Sequence, residues 1–159
     1  MKNTTDKFLS IQKLGPVFQA LILEKSKVKI TVTGNSMYPL LRTGIDEVIL
    51  KQAKSYKKGD VVFYKRDDGS YILHRIVGKE NDAFYLAGDA EIRKEYPIYA
   101  NQIIGVATDF VSRGKRFSHK NPVYLIYSFL WMLLLPYRQK IIRMYINFRS
   151  VLKCWRKLW

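Results

Sequence analysis

Between residues 28 and 110 the chain is cut into short apolar runs, each closed by Gly, Pro, Asn, Asp or Ser. That segmentation leaves no room there for long helices and points to many short strands. Val28, Ile30 and Val32 alternate with polar residues across Lys27 to Thr33, the period of a half-buried strand. Further strands are expected at Glu47 to Lys51, Val61 to Lys65, Ala83 to Ala87 and Gln102 to Phe110. Asp68-Gly69, between two apolar runs, is a strong hairpin signal, and the strand that follows it is Tyr71 to Gly78. The expected fold is mainly β: a coiled, partly closed barrel.

Two positions inside this pattern carry chemistry. Gly34 and Asn35 end the first strand, because both tolerate backbone angles closed to most residues, and Pro39 sets the φ of the turn that follows. Ser36 therefore stands at a corner from which a hydroxyl can face a cleft, with backbone N–H groups beside it. His74 lies within an apolar strand, in a chain with only two histidines. Serine is a weak nucleophile at neutral pH and needs a base to take its proton. Imidazole, with an unperturbed pKa of about 6.5, is the best matched side chain for that task.

In order, GNSMYP (34–39), KGDVVFY (58–64), ILHRIV (72–77) and AGD (87–89) resemble the blocks of signal-peptidase-type serine peptidases. The resemblance is to the branch that pairs Ser with His, typified by archaeal and endoplasmic-reticulum enzymes, rather than to the bacterial Ser-Lys branch. It covers about half of the chain. It implies a β peptidase fold, Ser36 as nucleophile, His74 as general base, and an acyl-enzyme formed on an extended peptide or preprotein. The implied cut follows a small residue of a signal or leader peptide.

The resemblance also implies an acid that orients His74. Asp89 matches the family's Gly-Asp block, and Glu95 stands where a second family acid falls; Asp89 is the favoured of the two. Met37 is expected to pack beneath the nucleophile. Arg75 points away from His74 on a strand, which suits a structural salt bridge. His119, in the basic stretch RGKRFSHK, is expected in solvent.

Outside the β segment the chain changes character. Residues 1–26 place Phe8, Leu9, Ile11, Leu14, Val17, Phe18, Leu21 and Ile22 at helical spacing, and an amphipathic helix packed on the body is expected. It is too polar and short to span a bilayer, so the N-terminal membrane anchor of typical signal peptidases is not expected. Residues 27–112 form the expected catalytic domain and 113–159 a basic, apolar helical tail.

Charge supports that division: of 28 Lys+Arg and 13 Asp+Glu, residues 110–159 hold 11 of the bases and none of the acids. VYLIYSFLWMLLL (123–135) carries no charge but is too short to cross a bilayer, so a core helix, an interfacial segment or a marginal anchor all fit. Beyond it Ile141, Tyr145, Phe148, Leu152 and Trp155 share a face, with Arg143, Arg149, Lys153, Arg156, Lys157 and Trp159 nearby. A basic helix bearing Trp suits a membrane interface better than nucleic acid. Membrane association, on an unspecified side, is the expected location, with the cytoplasm as the alternative.

One cysteine, Cys154, excludes an internal disulfide, and neither metal nor cofactor is expected. Two other functions fit the pattern. One is a non-catalytic peptide-binding module on the same fold. The other is a self-cleaving regulator of the SOS-repressor type, though those pair Ser with Lys.

Overall fold

The computed structural model describes residues 4–155, with side chains for residues 14–148. A helix, α1 (Thr4–Leu23), leads into eight strands. These are β1 (Val28–Thr31), β2 (Glu47–Lys51), β3 (Val61–Lys65), β4 (Tyr71–Glu80), β5 (Ala83–Ala87), β6 (Glu95–Tyr99), β7 (Ile103–Ser112) and β8 (Lys115–Ser118). Two helices, α2 (Pro122–Leu133) and α3 (Arg138–Trp155), follow.

The strands form one antiparallel sheet in the order β1-β2-β7-β3-β4-β5-β6, with β8 paired to β7. Register shifts in β2–β7, β3–β7, β4–β5 and β5–β6 mark bulges, which bend and coil a sheet. No pairing joins β1 to β6 among the described residues, so hydrogen bonds do not close the sheet into a barrel.

The alternating strands sort side chains onto two faces. Ile30, Met37, Leu41, Leu50, Val61, Phe63 and Phe110 share one core with Ile22 of α1. Val62, Tyr64, Ile76, Phe84, Leu86 and Ile98 build a second on the opposite face. Each such side chain, fully buried, contributes roughly 1.5–3 kcal/mol of apolar transfer energy. Helix α1 covers part of the first face. Its Gly15 lies flat on Tyr71, where a Cβ would come within 2.3 Å of the ring. Leu14, Val17 and Leu21 remain exposed, and the side chains of Phe8, Leu9 and Ile11 lie outside the described ones.

Strands β2, β3 and β5 match the sequence expectation residue for residue, and β4 runs past the expected end at Gly78 to Glu80. Two strands were not expected. β6 contains Pro97, which cannot donate to a ladder and is tolerated because β6 is the sheet's edge. β8 lies in the segment assigned to the tail and returns on β7 through Arg113-Gly114, both at positive φ, as a tight hairpin requires.

The apolar run at 123–135 supplies α2 as far as Leu133, capped by Asn121, whose side chain accepts from Val123 N at 2.9 Å and Tyr124 N at 3.3 Å. Among the described residues no helix is long and apolar enough to cross a membrane. Arg156, Lys157 and Trp159 lie outside the described residues, as do the side chains of Arg149, Leu152, Lys153 and Trp155.

Candidate active site

Ser36 sits in the turn after β1, half-buried. Gly34 at φ +82° turns the chain, its N–H donating to Thr43 Oγ1 at 3.0 Å, and Tyr38 N–H donates back to Asn35 O at 3.1 Å. Met37, 1% exposed, roots the turn in the core beneath the serine, as its position suggested. Ser36 also borders a small apolar cleft of about 60 Å³, lined by Ile30, Val32, Met37, Phe63 and Tyr71 among others.

His74 is buried on β4, opposite Val62 of β3. Its Nδ1 lies 3.2 Å from Glu95 Oε1 and 3.3 Å from the Tyr64 hydroxyl oxygen. Tyr64 donates its own proton to Glu95 Oε2 at 2.7 Å. Burial beside that carboxylate pushes the phenol pKa up, so the hydroxyl stays protonated. Both neighbours of Nδ1 are therefore acceptors, which puts the neutral ring's proton on Nδ1 and leaves the Nε2 lone pair free. That is the tautomer a general base needs.

Glu95 is held in turn by Arg66, whose Nε donates at 2.8 Å and whose Nη2 donates to the other oxygen. Burial alone would raise its pKa, but the hydrogen bonds from His74, Arg66 and Tyr64 prevail and hold it well below the usual carboxylate range.

The structure reverses the favoured choice of acid. Asp89 is fully buried and forms a two-point pair with Arg75, Oδ1 to Nε and Oδ2 to Nη2, both at 2.8 Å. Arg75, the residue after His74, projects from the other face of β4, as expected, and its partner there is Asp89. Its Nη1 also donates to Gly59 O, Tyr124 Oη and Ser128 Oγ. With both its oxygens on Arg75, Asp89 serves this network, and Glu95 is the carboxylate at the imidazole.

The loop from Gly88 to Glu91 connects the two halves of the site. Ala90 N–H donates to Ser36 O at 2.7 Å. A Cβ on Gly88 would lie 2.6 Å from Ser36 O, 2.9 Å from Ser36 Cβ and 3.1 Å from Glu91 Cδ. Glu91 Oε2 stands 3.7 Å from His74 Nε2. Glu91, which the sequence reading did not single out, thus lies beside the Ser36 turn and on the Nε2 side of His74. The Ser36 hydroxyl and His74 are not hydrogen-bonded to each other here; such contacts are often loose until substrate binds. An open, charged groove of about 690 Å³, lined by Arg66, Glu91, Arg93, Lys94, Glu95 and Tyr96, runs past the imidazole's carboxylates.

Gly88→Ala should push the Ser36 turn aside. We expect at least a tenfold loss in Ser36 reactivity at a stability cost of about 1–3 kcal/mol, the usual range for overpacking, read by probe labelling and denaturant melts.

His119 is partly buried, its Nδ1 2.8 Å from Thr108 O, and takes no part in the site. Among the described residues no group of three or more His, Cys, Asp or Glu could hold a metal ion.

A family model described as Peptidase S24-like matches residues 15–108, which contain Ser36, His74, Asp89 and Glu95. No curated protein and no solved structure matches the chain.

Proposed function

For a chain that belongs to the Peptidase S24-like family, we propose a serine endopeptidase of the signal-peptidase type that works through Ser36 and His74. The observation that carries this reading is the environment of His74, whose Nδ1 faces two acceptors, the arrangement that directs the neutral ring's proton there and its lone pair to Nε2. Glu91 swings aside when an extended peptide enters, and Nε2 takes the Ser36 proton as the hydroxyl attacks the scissile carbonyl. Glu95 steadies the imidazolium that results, with Tyr64 and Arg66 fixing the carboxylate. N–H groups of the Ser36 turn stabilise the oxyanion. The imidazolium then gives its proton to the leaving amine, and water, activated the same way, releases the acyl group. The small cleft beside Ser36 favours a small side chain before the cut, and the substrate class is a signal or leader peptide.

The test is labelling with a fluorophosphonate, followed by peptide mapping. Modification of Ser36 is the expected result. Labelling elsewhere, or none, would overturn it. The lack of a direct Ser36–His74 hydrogen bond favours one other reading, a peptide-binding module on this fold. Unlabelled protein that still binds leader peptides in the groove would establish that module instead.

A further inference from the structure

Helix α2 has two unlike faces. Inward, Tyr124, Ser128 and Trp131 are buried one turn apart, and all three hydrogen-bond the body. Tyr124 and Ser128 receive Arg75, and Trp131 Nε1 donates to Asp89 O at 2.9 Å. Arg138, the first residue of α3 and fully buried, donates to Gly88 O at 3.1 Å and Trp131 O at 2.9 Å. The helix is therefore bonded to the same Gly88–Glu91 loop that lies against Ser36.

Outward, Val123, Leu125, Ile126, Phe129, Leu130 and Leu133 are each half or more exposed. So continuous an apolar face is rare on a soluble protein and marks a contact surface. A helix of 12 residues reaches about 18 Å, too short to span a bilayer but suited to lying along one. Its flanking sequence has one sign of charge: residues 110–159 contain 11 Lys+Arg and no acid, with Lys120, Lys140 and Arg143 exposed, while Asp60 beside Leu125 and Phe129 is accompanied by Lys57 and Lys58. An apolar face in a basic field complements an anionic lipid surface, whose acyl boundary takes the side chains while its headgroups meet the cations.

We propose that the outer face of α2 docks on an anionic bilayer, and that its inner hydrogen bonds hold the Gly88–Glu91 loop beside Ser36 at a set distance from the lipid. The docking stands apart from the peptidase reading. Its consequence, a substrate presented at the membrane surface, rests on that reading.

The experiment is co-sedimentation of the full chain with phosphatidylcholine–phosphatidylglycerol vesicles and with phosphatidylcholine alone. The wild type should pellet with the anionic vesicles, less so at high salt and far less with neutral ones. The double variant Ile126→Glu/Phe129→Glu should bind them at least tenfold more weakly with an unchanged melting temperature. Val123→Glu, at the most exposed position, is the milder second variant and should show a smaller loss. Vesicle binding absent in the wild type, or equal in wild type and both variants, overturns the proposal. So does a wild-type dimer that the double variant breaks without any vesicle binding. Ser36→Ala should bind vesicles as the wild type does, so failure of the serine chemistry leaves this result readable.

Discussion

Replacing Glu95 with Gln should slow acylation of Ser36 by roughly a thousandfold while leaving most molecules folded at 25 °C. Loss of an orienting carboxylate costs up to about ten-thousandfold in serine peptidases, because the ring can then take the wrong tautomer. Here the amide would offer donors as well as an acceptor to Nδ1, and either ring nitrogen could then carry the proton. The same change removes the negative charge that holds the imidazolium, along with the acceptor for Tyr64 and the ion pair with Arg66. His74→Ala, which deletes the base itself, should lower the rate at least as far. The measurement is the second-order rate of fluorophosphonate labelling across pH.

The sign of the pH dependence follows from Glu95. Its carboxyl is held below the usual range in the folded protein, so its contribution to stability is full above the unfolded-state pKa of about 4.3 and is lost as pH falls through the folded value. A Glu95→Gln enzyme that labels as fast as the wild type would remove Glu95 from the mechanism.

Much of this arrangement was readable before the fold was known, and the rest was hidden for physical reasons. Strands with clean alternation or short apolar runs, such as Val61–Lys65 and Ala83–Ala87, declared themselves through burial on defined faces. β6 did not, since EYPIY contains a proline and most of it faces solvent at the sheet's edge. That strand begins with Glu95, so overlooking it also hid where this acid points. The choice between Asp89 and Glu95 could have been settled by following Arg75 instead of His74. A buried guanidinium is best matched by a buried acid, and assigning Asp89 to Arg75 leaves Glu95 for the imidazole. Arg138 gave no such signal. In a tail rich in Lys and Arg it looks like any solvated cation; in the fold the carbonyls of Trp131 and Gly88 take its Nε and Nη1, and its Nη2 has no partner among the described residues.

The complementary expectation concerns stability. Asp89→Asn should destabilise the fold by about 3–5 kcal/mol, the cost of leaving one member of a buried ion pair without the other. For a chain of this size that lowers the melting temperature by on the order of 10 °C. Arg75 would keep its bonds to Gly59, Tyr124 and Ser128 but lose the full negative charge bonded to it, at a site buried from solvent. Replacing both partners by apolar residues of similar volume, Arg75→Met with Asp89→Leu, should recover much of that loss, since desolvation and attraction are removed together.

Asp89 does not touch His74, so the folded fraction of Asp89→Asn should label at Ser36 within about tenfold of the wild type, against roughly a thousandfold loss in Glu95→Gln. The two carboxylates thus separate into one whose loss is read in a denaturant melt and one whose loss is read in a rate. If Asp89→Asn kept its stability and lost its rate, the roles would be exchanged. The imidazole would then have to reach Asp89 by a rearrangement of the Gly88–Glu91 loop, breaking the Trp131 and Arg138 hydrogen bonds that now hold it.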